Sequence, residues 1–163
     1  MRVFILVALF AGLLMQAGCS KFKTYNGPEV TRIVIMKGER RMHLLHGERV
    51  LESYDIDLGF APDGHKQVEG DGRTPEGRYT INRRNPDSAF HLSLGISYPN
   101  NADRAYAASI GKSTGGDIFI HGARRPFDRD GPDWTAGCIS VTNKEVEQIY
   151  SMIRTGTVID ILP

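Results

Sequence analysis

The apolar residues of this chain fall in short, β-branched runs cut apart by Gly, Pro and Asp, a pattern that constrains it to strands over most of its length. In "TRIVIMKGERRMHLL" (31–45), Ile33, Val34 and Ile35 lead to a turn near Gly38 and a second strand. "RVLESYDIDLG" (49–59) continues the alternation, so the spacing predicts a meander of three strands. "APDGHKQVEGDGRTPEGRYTI" (61–81) predicts a long surface loop that enters a strand near 78–81, with Thr74-Pro75 setting the turn. "GGDIFIHG" (115–122) reads as a buried strand over 117–120 ending at His121-Gly122, and "TVIDIL" (157–162) as a closing strand. Only two stretches read as helices. "NNADRAYAASIGK" (100–112) has good helix formers, Asp103 as a cap and Gly111 as a stop. Further on, Thr142 and Glu145 have capping-box spacing, and Val146, Ile149, Tyr150 and Ile153 follow at i, i+3, i+4 and i+7 before Gly156. The expected fold is mainly β with two short helices.

The N-terminus has a separate purpose. Arg2 is followed by an apolar run over 3–15 and by the small residues Ala17 and Gly18, the order of an export signal. The run is shorter than the ~20 apolar residues a bilayer-spanning helix needs. Cys19 directly after a small pair resembles the bacterial lipobox, from which the chain departs at Gln16, where Leu is usual. The expected organisation is a lipoprotein signal peptide over 1–18, a lipidated N-terminus and polar tether over 19–30, and one domain over 31–163. Such a protein is expected in the bacterial cell envelope, periplasm-facing and attached to the membrane through the Cys19 lipid. A domain of that size builds a core without staples. The 20 basic and 19 acidic side chains nearly cancel, and no basic stripe is present, which argues against nucleic acid as a partner.

Cys138, in "DWTAGCISVTN" (133–143), is the other of only two cysteines. If Cys19 takes lipid, Cys138 has no disulfide partner within the chain, and an unpaired thiol in an oxidising compartment calls for a use. A Cys19–Cys138 bridge requires that Cys19 escape lipidation. Cys138 follows a strand-ending histidine by seventeen positions and precedes a capped helix. An imidazole that takes the thiol proton, aided by the positive end of a helix, is what nucleophilic sulfur requires. Gly137 permits close backbone approach, so amides around 137–138 are candidates to face an oxyanion, and the Gly122 carbonyl is a candidate to fix the His121 tautomer. His43 and His46 lack a ligand cluster, so no metal site is expected.

"IHG", a spacer and then "TAGCISVTN", with "GDGRTPEGRYTI" upstream, resemble the active-site signature of the L,D-transpeptidase (YkuD-type) catalytic domain. "FHLSLGISYPN" looks like a branch of that family found in short exported proteins. The resemblance covers nearly the whole mature chain and implies an L,D-transpeptidase-like β-sandwich or barrel. By position it implies Cys138 as nucleophile, His121 as general base, Gly137 and the Cys138 amide at the oxyanion region, and Asn143 as the closing Asn of the motif. Ala136 stands where the family often has His, and Ser140 where it often has Arg. The implied partner is the peptidoglycan stem peptide, joined to a second stem peptide or to a protein lysine, or hydrolysed, with no cofactor. A non-catalytic wall-binding lipoprotein of the same fold is the alternative that Ala136 and Ser140 favour. His91, Ser93, Tyr98, Arg124 and Trp134 are candidate substrate contacts, each with an ordinary packing or surface reading beside it.

Overall fold

The computed structural model describes residues 20–163, so the export segment and Cys19 lie outside the described residues. Strands β1 (Arg32–Met36), β2 (Arg41–His46) and β3 (Arg49–Asp55) form the expected antiparallel meander. In β1, Ile33 and Ile35 point into the core and are fully buried, while their neighbours are half-exposed. The closing strand, β8 (Val158–Leu162), lies parallel to β1 and so sits centrally. On its outer face Asp160 stands opposite Arg78 and accepts two hydrogen bonds from it, at 2.6 and 2.8 Å. Such a cross-strand pair favours one register, because a slip of one residue would turn Ile159 and Ile161 outward.

β4 (Gly77–Ser88) is the corner of the fold. Its first four residues pair with β8, and from Ile81 onward it pairs with β5 (His91–Ile96). The strand order is β3-β2-β1-β8-β4-β5-β6-β7, where β6 is Phe119–His121 and β7 is Ile139–Ser140. Beyond β3 the chain runs on beside β7: Asp57 and Ser140 exchange both backbone hydrogen bonds, at 2.9 and 2.8 Å, and Gly59 bridges to Thr135. The sheet thereby closes on itself, as expected of a barrel-like member of this fold class. Closure satisfies edge backbone groups that would otherwise invite another chain.

Helix α1 (Asn101–Ser109) corrects one expectation: its cap is Asn100, not Asp103. Asp103 is the reciprocal partner at the third helical position, accepting from the Asn100 amide at 2.8 Å and from the Tyr79 hydroxyl at 3.0 Å. Helix α2 (Asn143–Met152) begins at the Thr142–Glu145 capping box and buries Val146, Ile149, Tyr150 and Met152. It packs on β5 and β6; each fully buried side chain of this kind contributes ~1.5–3 kcal/mol. The stretch 20–30 does not hang free. The Lys21 ammonium donates to the Pro86 carbonyl at 2.6 Å, Lys23 pairs with Glu147 at 3.2 Å, and Val30 is buried.

The irregular segment between β3 and β4 is held by charge. Lys37, only 2 % exposed, donates to the Gly64 and Thr74 carbonyls and to the Glu76 carboxylate at 2.6, 3.1 and 2.8 Å. Asp71 accepts from the Gln67, Val68 and Arg73 amides and from the Lys66 ammonium, which keeps its carboxyl below the usual range although burial opposes this. Thr74 is fully buried, and its hydroxyl accepts from the Gly59 amide at 3.0 Å. The loop is thereby fastened to the segment that flanks β7.

Candidate active site

Cys138 immediately precedes β7, in a turn whose geometry follows from its neighbours. Thr135 hydroxyl donates to the Cys138 carbonyl at 2.7 Å and accepts from the Gly137 amide at 3.1 Å. The Gly137 amide is therefore engaged within the turn and is not a free donor for an oxyanion, contrary to expectation. Gly137 is required for a different reason: its φ is +134°, and a Cβ would come within 2.6 Å of the Arg73 carbonyl oxygen.

The half-buried thiol donates to the Asp117 carbonyl oxygen at 3.5 Å, and the Phe119 amide is directed at the sulfur. Burial pushes the thiol up to about 11; the Phe119 amide pulls it down, the Asp117 carboxylate pushes it up and Lys66 pulls it down. His121 ends β6 and is 3 % exposed. Phe90 stacks on its ring at 4.4 Å and Trp134 meets it edge-on at 5.5 Å. Nδ1 lies 2.8 Å from the Gly122 carbonyl oxygen, so it carries the proton and leaves the Nε2 lone pair open. Burial holds the imidazole below its usual pKa, with the Gly122 carbonyl acting in the opposite sense. The resting pair is a neutral thiol just before β7 and a neutral imidazole at the end of the adjacent strand β6. His121 lies opposite Ser140, two residues beyond Cys138 in the chain. The thiol's hydrogen bond goes to Asp117 rather than to the imidazole.

The remaining expected residues divide by position. Asn143 accepts from the Ala123 amide at 3.0 Å, tying the start of α2 to the chain just after His121. Its Oδ1 and the Phe90 carbonyl oxygen would lie 2.4 and 2.6 Å from a Cβ at position 122, which explains Gly122. Ser93 is buried opposite His121 on β5. His91 is engaged by Glu147 on α2 at 2.8 Å, and the Tyr98 hydroxyl donates to the Thr114 carbonyl at 3.2 Å. Arg124 pairs with Asp130 at 2.7 Å, and with Trp134 it lines a cavity of about 560 Å³. Neither Cys138 nor His121 lines that cavity. A smaller cavity, about 280 Å³, is closer to the chemistry, since its wall includes Asp117.

Four further residues shape the surroundings of the histidine and the thiol. Phe90 supplies the ring that stacks on His121, and Arg125, held by Asp128 at 3.0 Å, lies over the Phe90 ring at 4.4 Å from its centroid. Ser140, buried at 3 % exposure, donates to the same Gly122 carbonyl as His121, at 3.2 Å. Where the family often has a cation, this chain places a second donor on the carbonyl that orients the histidine. Arg83 stands near the sulfur-holding residues, paired with Asp117 at 3.0 Å.

The state of the thiol is directly measurable. With a thiol at about 11, alkylation of Cys138 by iodoacetamide should rise ~tenfold per pH unit between pH 7 and 10. A preformed thiolate–imidazolium pair would instead give a rate nearly flat above pH 7, and that result would contradict the neutral resting state.

Comparisons with known proteins agree with the kinship that the motifs suggest. The model of the YkuD family, the L,D-transpeptidase catalytic domain, matches residues 30–161. YafK of Escherichia coli K12, provisionally named an L,D-transpeptidase, is 30% identical over 161 residues, covering 92% of this chain and 59% of YafK. YkuD of Bacillus licheniformis, named in the same way, is 26% identical over 132 residues, covering 81% of this chain and 66% of its own. Among solved structures, the helical cell shape determining protein Pgp2 of Campylobacter jejuni superposes with a TM-score of 0.65 at 24% identity, over 88% of this chain and 51% of Pgp2. L,D-transpeptidase 1 of Mycobacterium tuberculosis shares the fold at a TM-score of 0.53 and 10% identity, over 83% and 62% of the two chains. The chain thus spans about three-fifths of the curated relative YafK and about half of Pgp2. With its mainly β fold and a family match that runs through every strand but the last residue of β8, this chain belongs to the YkuD L,D-transpeptidase catalytic domain family.

Proposed function

We propose that this protein is a cell-envelope lipoprotein that transfers acyl groups from peptidoglycan stem peptides through a thioester on Cys138. The observation that carries this reading is the Gly122 carbonyl on His121 Nδ1, which leaves Nε2 as a proton acceptor on the strand next to the cysteine. In the first half-reaction the thiol proton passes to Nε2 and the sulfur attacks the carbonyl at the L-centre of diaminopimelate. The C–N bond breaks, and the terminal D-amino acid leaves as an amine with the proton from His121. In the second, an amine or water gives its proton to Nε2, attacks the thioester and frees the thiol. The peptide bond supplies the energy, so ATP is not consumed. Family membership and the likeness to a cell shape protein support a role in wall biogenesis and cell shape. Lipidation at Cys19 would keep the domain at the membrane surface facing the wall.

The elevated thiol pKa, its hydrogen bond to Asp117 and the engaged Gly137 amide favour a second reading, a wall-binding lipoprotein without turnover. Incubation with a carbapenem followed by intact-mass analysis separates the two. A transpeptidase gains one acyl adduct, mapped to Cys138 and missing from Cys138→Ala. A folded wild type without adduct would establish the binding reading instead. Muropeptide analysis of the reactive protein then tells an amine acceptor from water.

A further inference from the structure

One row of residues crosses three neighbouring strands and ends at the sulfur, just before the fourth. Arg83 on β4 lies opposite Gly95 on β5, and Gly95 opposite Phe119 on β6. β6 and β7 run parallel with Ile120 opposite Ile139, which sets Phe119 beside Cys138. Residues opposite one another share a face of the sheet. The row has one gap, at Gly95, where a Cβ would come within 2.8 Å of Asn82 Oδ1, 3.2 Å of the Arg83 Cβ and 3.4 Å of the Phe119 ring. Across that gap the Arg83 guanidinium lies 4.8 Å from the Phe119 ring centroid and reaches the Asp117 carboxylate at 3.0 Å. Asp117 and Phe119 are the two residues whose backbone holds the sulfur. The guanidinium therefore rests on the side chains of both, in the wall of the 280 Å³ cavity that it shares with Gly95, Tyr98 and Asp117.

As a salt bridge this pair has little to do. Both side chains face solvent, Arg83 at 56% and Asp117 at 85% exposure, where an ion pair adds little to stability. One contact to Asp117 also leaves most of the guanidinium's five donors free. We infer that Arg83 reads a free carboxylate on the donor peptide, binding it with its planar fork while the thiol faces the adjacent carbonyl. This rests on the acyl-transfer reading above and adds the donor's recognition group. Two carboxylates of a stem peptide fall near the attacked bond: that of the departing D-residue and that on the D-centre of diaminopimelate. Either suits a two-pronged guanidinium contact, for which a lysine ammonium is a poorer substitute. Asp117 holds the fork in place before the ligand arrives.

Binding to the Cys138→Ala protein tests this without turnover. Three synthetic tetrapeptides would be titrated calorimetrically: the free acid, the C-terminal carboxamide, and one amidated at the D-centre of diaminopimelate. Adding Arg83→Gln should weaken the free acid by ~10- to 100-fold, and Arg83→Lys by less. The carboxylate that Arg83 reads is the one whose amidation weakens binding to the Arg83 protein by a similar factor, with no further loss in Arg83→Gln. Equal affinity with and without Arg83, equal loss for all three peptides, or no binding of any of them would each overturn the assignment. Failure of the acyl-transfer reading would show elsewhere, as a wild-type protein with no adduct on Cys138.

Discussion

His121→Ala is expected to slow acyl transfer by ~10²–10⁴-fold at pH 7, the range for loss of a positioned general base, while the protein stays folded and still binds stem peptide. The upper end follows from the thiol itself. With a pKa of about 11, only ~1 molecule in 10⁴ carries a thiolate at pH 7 unless a base removes the proton. The variant should therefore recover ~tenfold per pH unit as the solution takes over that task. The wild type should instead hold a plateau, because the imidazole is already neutral there. Its acid limb should lie below the usual histidine range, since burial between Phe90 and Trp134 disfavours the imidazolium. Activity is then present above that depressed pKa and lost as the pH falls through it. Stopped-flow acylation by a carbapenem across pH 5–10 measures both limbs. A His121→Ala profile that matches the wild type would remove the histidine from the proton path.

What could be read in advance was whatever depends on near neighbours in the chain. The α2 cap and its apolar face lie within twelve residues, so Thr142, Glu145, Val146 and Ile149 announce the helix without help from the rest of the fold. The same locality misled at α1, where Asp103 is acidic and early but Asn100, three residues before it, has the extended backbone of a cap. The outer half of β4 gave no strand signal. "NRRNPDS" lacks apolar alternation because, where this part of β4 pairs with β5, none of its side chains is fully buried. Arg83 was invisible for that reason, as its meaning comes from Gly95, Asp117 and Phe119 in other strands. Ser140 was noticed only as a missing arginine; the carbonyl it shares with His121 belongs to Gly122, eighteen residues earlier. Cys138 and His121 were singled out by motif, but which group receives the thiol's hydrogen bond depends on backbone geometry at Asp117, where φ is +53°.

A larger structural effect is expected at Gly59, far from any motif. The segment after β3 crosses the Cys138 turn and the loop at Gly72 so closely that a Cβ at 59 would lie 2.1 Å from the Gly72 carbonyl oxygen and 2.9 Å from the Gly137 Cα. Those obstacles are backbone, so no side-chain rotation relieves them. Nor can the segment retreat easily, because the Gly59 amide is bonded to buried Thr74 and the Phe60 amide to the Thr135 carbonyl at 2.9 Å. Gly59→Ala should therefore cost about 3 kcal/mol, the upper part of the overpacking range, and lower Tm by ~10 °C for a domain of this size. Because Gly137 is one of the displaced partners, the surviving folded protein should also acylate more slowly. Gly47→Ala provides the contrast. Its φ is +57° but nothing lies within 4 Å of its added Cβ, so only the left-handed backbone penalty of ~1 kcal/mol applies. Thermal unfolding of the two variants beside wild type separates steric crowding from backbone preference. Equal losses in the two would mean that the closure between the β3 extension and the Cys138 turn is looser than its geometry requires, and that the thiol is held chiefly by Asp117 and Phe119.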